Sequence, residues 1–173
     1  DSDNTCPSKG WILAFHPDLI CGTVLGANIR DYTFFSYRPE EALHVSLREK
    51  QVILELLDKI NEELQRCIDC YSQKIISKYI ELLLDYCERF YERQFITRNE
   101  ANKKIIERFD RLLDDHFNTI QSQSSDLPTI EECVRVLRLS PAYFNDLLEY
   151  ETGKSYKEYL QFKRFEIAKE WLI

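Results

Sequence analysis

Cys67 and Cys70 stand in the run "CIDC", the C-x-x-C spacing of a metal-binding or redox pair. A tetrahedral zinc site needs four ligands. The remaining candidates, Cys87, Cys133, His44 and His116, have no ligand-like spacing. The pair therefore reads as structural thiols, and no metal or cofactor is expected. "FHPD", with His16 and Asp18, is the densest cluster of proton-transferring groups. No nucleophile elbow, phosphate loop or metal spacing accompanies it, so it reads as a turn, and no catalytic residue is assigned. A third set carries different chemistry. In "LSPAYFNDLLEYETGK", Ala142, Tyr143, Asn145 and Asp146 fall in the first turns of a predicted helix. Asn can pair bidentately with adenine, Ala can touch a thymine methyl, and Asp can accept only from cytosine N4. Tyr143 has two readings: its hydroxyl reaches a phosphate, or its ring only packs.

The elements that must position these groups are helical. Thr129 and Glu132 form a capping box before Ile130, Cys133, Val134 and Leu137. "RLS" then turns the chain. Ser140 is a good N-cap, and Pro141 sits at the first helical position, where its missing N–H is not needed. Phe144, Leu147 and Leu148 give the next helix its buried face, and Gly153 suits a left-handed C-terminal cap. Ser155 and Glu158 open a last helix through Tyr159, Leu160, Phe162, Ile167 and Leu172. Two short helices across a tight turn have helix–turn–helix geometry. On pattern alone a generic three-helix bundle fits as well. Upstream, "SLRE" is a capping box at Ser46 and Glu49, leading a stripe from Leu47 to Leu64. Residues 72–94 and 101–117 make two more helices. The first of these is apolar over much of its circumference, which fits either a buried central helix or a face shared with a second copy. The polar run 118–128 reads as a linker. Short aromatic and β-branched runs within 8–38, between Gly and Pro residues, read as short strands, too few for a sheet with its own core. The expected fold class is mainly α: a short β remnant, a helical module, then a three-helix helix–turn–helix unit.

Composition sets limits on this reading. With 44% hydrophobic and 31% charged residues, the chain has the balance of a folded, water-soluble protein. No apolar run reaches bilayer length. "DSDNTCPSKG" is not a signal peptide, and six cysteines without a secretion signal read as reduced thiols, so a cytoplasmic location is expected. A net charge of −7 weighs against nucleic acid, because affinity for phosphates comes largely from Lys and Arg.

The ordered set Ser140-Pro141, Tyr143-Phe144, Leu147-Leu148, Glu151-Thr152-Gly153-Lys154, Tyr159-Leu160, Arg164 and Ala168-Lys169 ahead of Leu172 resembles the first half of an AraC/XylS-type DNA-binding domain. "FHPDL", "YTFFSY", "EALHVS" and "IELLLDYCERFYERQFITR" are similar to the region joining sensor and reader in AraC-type regulators common in Bacteroidetes. The resemblance implies a dimeric, ligand-responsive transcription regulator that acts on double-stranded promoter DNA. Residues 1–45 would then be the tail of a cupin-like sensor barrel, and 46–117 a dimerisation and linker module, with the homodimer formed through 46–94. Residues 118–128 would be a linker, and 129–173 the first helix–turn–helix subdomain with the start of the connecting helix. A small-molecule effector would bind the missing sensor, a second helix–turn–helix would follow Ile173, and the chain is expected to be a fragment. The implied reading residues are Ser140, Ala142, Tyr143, Asn145 and Asp146 on helix 141–151, and the implied phosphate anchors are Lys154, Lys157, Lys163 and Arg164, beside the backbone amides of the helix that begins after Ser140. Many family members carry a basic residue where this chain has Glu149. The other reading kept open is a helical protein–protein interaction module whose helix–turn–helix no longer binds DNA.

Overall fold

The computed structural model describes residues 10–120 and 127–170. Its regular elements are helices: α1 (Val24–Asn28), α2 (Leu47–Leu64), α3 (Ser72–Thr97), α4 (Asn99–Ile120), α5 (Ile130–Leu137), α6 (Pro141–Thr152) and α7 (Tyr156–Glu170). The expected class, mainly α, holds.

The short strands expected within 8–38 are absent among the described residues. In their place stand 3₁₀ turns at Pro17–Leu19, Ile29–Asp31, Thr33–Ser36 and Pro39–Glu41, together with α1. The physical reason is that this segment has a helix to lie on rather than strands to pair with; β-branched and aromatic composition reports a half-buried surface, not an intrinsic backbone preference. The Gln73 amide on α3 donates to the carbonyls of Asp18, Leu19 and Cys21 at 3.1, 3.2 and 3.3 Å. The Ser77 hydroxyl donates to the Leu19 carbonyl at 3.0 Å. α1 can follow because Thr23 caps it and because residue 26 is Gly: a Cβ there would lie 2.1 Å from the Ile20 carbonyl oxygen.

α3 is the spine. A helix of 26 residues is about 39 Å long at the standard rise. α2 lies along it from the Ile76 turn to Arg93, which pairs with Glu49, and Ile60, Ile76, Ile80 and Leu84 join Ile20, Leu25 and Tyr32 in one core. The capping box of α2 forms in full between Ser46 and Glu49. A second core gathers Phe109 and Leu113 of α4 with Cys133, Val134 and Leu137 of α5, Phe144 and Leu148 of α6, and Tyr156, Tyr159 and Leu160 of α7. α4, read above with the upstream helices, thus lends its buried face to the C-terminal ones. The run 118–128, read as a linker, begins as the last turn of α4; residues 121–126 lie outside the described residues. A third, smaller cluster joins Phe95 of α3 to Tyr143 and Leu147 of α6.

Candidate nucleic-acid interface

The caps and turns of α5, α6 and α7 form as their residue types dictate. Thr129 and Glu132 close both halves of a capping box on α5. Arg138 takes the left-handed conformation (φ 61°) and ends that helix. The Ser140 hydroxyl accepts from the Tyr143 amide at 3.2 Å, with Pro141 at the first helical position. Gly153, at φ 68°, caps α6 and donates to the Glu149 carbonyl at 2.8 Å. At α7 the Ser155 amide and hydroxyl both donate to Glu158, at 2.8 and 2.7 Å.

The first turns of α6, expected to face base edges, face inward. Tyr143 is 3% exposed, and its ring meets Tyr37 edge-on at 5.2 Å and Phe95 at 5.5 Å. Of its two readings, packing is the one seen. Burial raises its hydroxyl pKa, while Arg98 acts in the opposite sense. Ser140, also 3% exposed, donates its amide to Glu41 Oε1 at 2.6 Å and its hydroxyl to Glu41 Oε2 at 2.5 Å. Asp146 accepts from the Thr33 hydroxyl at 2.5 Å and the Tyr37 hydroxyl at 2.6 Å. The Tyr37 hydroxyl is pushed well above its ordinary value by burial and by that carboxylate. Asn145 accepts from the Tyr156 amide at 3.2 Å, so its oxygen serves the start of α7. Ala142 is half-buried. Thus 33–41 engages Ser140, Tyr143 and Asp146, while Asn145 is bonded to the start of α7.

The expected phosphate anchors do not share one setting. Lys157 and Arg164 are exposed on α7. The Lys154 ammonium lies 4.9 Å from the centre of the Phe162 ring. Lys163 pairs with Asp110 on α4 at 3.2 Å, and the same carboxylate accepts from the Tyr159 hydroxyl at 2.7 Å. Glu151, expected at the end of α6 and away from bases, accepts from the buried Asn102 amide at 3.2 Å, which ties α6 to the α3–α4 junction.

Glu41, Thr33 and Tyr37 were not singled out in the sequence. Their partners stand 99, 113 and 109 positions away. The one local signal at Glu41 is its reach back to the Arg38 amide at 2.8 Å, which marks a turn and not a partner. Among the described residues, no group of three or more His, Cys, Asp or Glu side chains is placed to hold a metal ion, and Cys67 and Cys70 are exposed thiols. His16 caps the first 3₁₀ turn by accepting from the Asp18 amide at 3.3 Å, the turn-shaping role read for "FHPD". No described helix is long and apolar enough to cross a membrane. No protein-family model, curated protein or solved structure matches this chain.

Proposed function

We propose that this chain is part of a dimeric, effector-responsive, DNA-binding transcription regulator of the AraC type, that α6 is its reading helix, and that the arrangement described above is its closed state. The observation that carries the reading is the α5–α6 turn: a left-handed Arg138, a Ser140 cap, Pro141 at the first helical position and a Gly153 stop. From Ser140 to Lys169 the AraC-like residues fall on α6, on α7 and on the turns that flank α6; Leu172 lies outside the described residues. The Glu41 carboxylate sits at the α6 N-terminus, where backbone amides and the helix dipole favour an anion. A DNA phosphate has the same preference for that place, so Glu41 and a phosphate compete for one site. Reading DNA then requires 33–41 to leave α6, which frees the Ser140 amide and hydroxyl and uncovers Asp146. Exposed Leu47, Leu64 and Ile68 on and just beyond α2 supply apolar surface for a second copy.

The burial of Ser140 and Tyr143 favours a second reading, an interaction module whose helix–turn–helix no longer meets DNA. Selection on a random duplex pool separates the two. The chain is joined to a second helix–turn–helix and assayed across a salt series, with and without Thr33→Ala, Tyr37→Phe and Glu41→Ala together. The regulator reading expects the triple variant to bind at least about tenfold more tightly than the parent, with affinity falling steeply as salt rises. No binding by the variant at low salt would leave the interaction module.

A further inference from the structure

The 33–37 turn, α3 and α6 enclose a concave cleft of ≈ 390 Å³, the size range of a small-ligand site. Its walls are aromatic. Phe34 stacks on Tyr91 with ring centres 5.5 Å apart, and Phe95 stacks on Tyr150 at the same distance. Tyr37 crosses Tyr91 edge-on at 5.1 Å. Carboxylates enter from three elements: Asp31 from the 3₁₀ turn before Tyr32, Glu88 and Glu92 from successive turns of α3, and Asp146 and Glu149 from α6. Among the described residues, no Lys or Arg lines the cleft. Among the described residues, the side chains of Asp31, Glu88, Glu92 and Glu149 make no hydrogen bond or ion pair. The carboxylates also act on one another: burial raises the Glu88 carboxyl, and Asp85, Glu92, Asp146 and Asp31 raise it further.

Aromatic faces and uncompensated carboxylates around one concavity are complementary to an organic cation, which the ring quadrupoles and the charges attract together. A simple metal ion would use the carboxylates and leave the rings idle. We propose that this cleft binds a small aliphatic amine carrying two or more ammonium groups, with its methylene chain against the rings and its charges on carboxylates of different elements. Two charges are called for because the carboxylates stand on three elements, and a single ammonium would leave most of them unmatched. A ligand so placed bridges α6 to α3 and to the 33–37 turn, so it holds the closed arrangement. Binding itself does not depend on the DNA reading above, and the test below uses no DNA.

Calorimetric titration of the chain at low salt with spermidine, 1,5-diaminopentane, tetramethylammonium and Mg²⁺ tests the site. The expected result is saturable binding of the diamine and spermidine, with the two others much weaker. Glu88→Gln with Glu92→Gln should weaken spermidine about tenfold, and Tyr150→Leu, which leaves every charge in place, at least about threefold. The Gln pair removes a like-charge repulsion one turn apart on α3, so its thermal melt should hold or rise. Hydrogen exchange of the first α6 amides should slow with spermidine. Three outcomes overturn the proposal: no saturable binding at millimolar amine, equal binding of Mg²⁺, or an equal loss when Asp114→Asn and Glu107→Gln remove charge outside the cleft. A failure here with DNA binding intact removes only the amine site.

Discussion

At the residue scale, the most informative side chain is one the sequence does not advertise. Glu41 is 4% exposed, and its carboxylate accepts from the Ser140 amide, the Ser140 hydroxyl and the Arg38 amide. Buried hydrogen bonds to a charged group are worth more than neutral ones, and each donor stripped of its partner is costly. Glu41→Ala should therefore lower unfolding free energy by about 2–4 kcal/mol in urea titrations, and Glu41→Gln, which keeps the shape and one good acceptor, by roughly half that. A loss below about 0.5 kcal/mol for the alanine variant would mean that the contact does not hold the closed arrangement. Asp146 illustrates the limit of residue-level reading. Its carboxylate was read as an acceptor for a cytosine, and in this structure it accepts from Thr33 and Tyr37. A residue type states what a group can bond, and the fold chooses the partner.

At the element scale, caps and turns were legible because they are settled within four residues. The boxes at Ser46 and Thr129, the Ser140 cap and the Gly153 stop all form where the sequence placed them. The N-terminal segment was misread because its aromatic runs look the same whether they pair as strands or lie on a helix. The start of α2 offers an element-level test. Glu49 closes the cap and also takes a forked pair from Arg93 on α3, at 2.7 and 3.0 Å, while Arg93 donates to the His44 carbonyl at 2.6 Å. Burial acts to raise the Glu49 carboxyl, but the Ser46 amide, Arg93 and the Ser46 hydroxyl together hold it below the usual range. A depressed carboxyl stabilises the fold above its unfolded pKa of about 4.3, and that stability is lost as pH falls through the lower folded value. Arg93→Ala should cost about 1–2 kcal/mol at pH 7, and the deficit should shrink when melts are repeated under increasingly acid conditions. A deficit constant across that range would show that Arg93 acts through packing alone.

At the scale of the whole molecule, α6 packs two ways: Phe144 and Leu148 enter the C-terminal core, and Tyr143 and Leu147 meet Phe95 of α3. α6, placed by the sequence in a unit beyond a linker, is instead clasped by the segment before α2. Apolar surface remains on the outer side: Leu64 is 60% exposed and Ile68 92%. If the dimer forms through 46–94, sedimentation of the parent chain gives twice the monomer mass, and Leu64→Glu with Ile68→Glu gives monomers with melting unchanged to within a few degrees. A parent chain that sediments as a monomer at every concentration would remove the dimer from the proposed function.

The sequence by itself determined the helices from α2 onward, their caps, the turn between α5 and α6 and the identity of their apolar faces. Each rests on side chain and backbone groups a few residues apart, and so needs no knowledge of the fold. Only the tertiary structure decided which face of α6 is covered, that α4 packs with the C-terminal helices, and that five carboxylates share one aromatic cleft. Those facts depend on contacts between residues up to 113 positions apart. Such pairings are chosen by the closure of two cores around α3, and no local spacing encodes them.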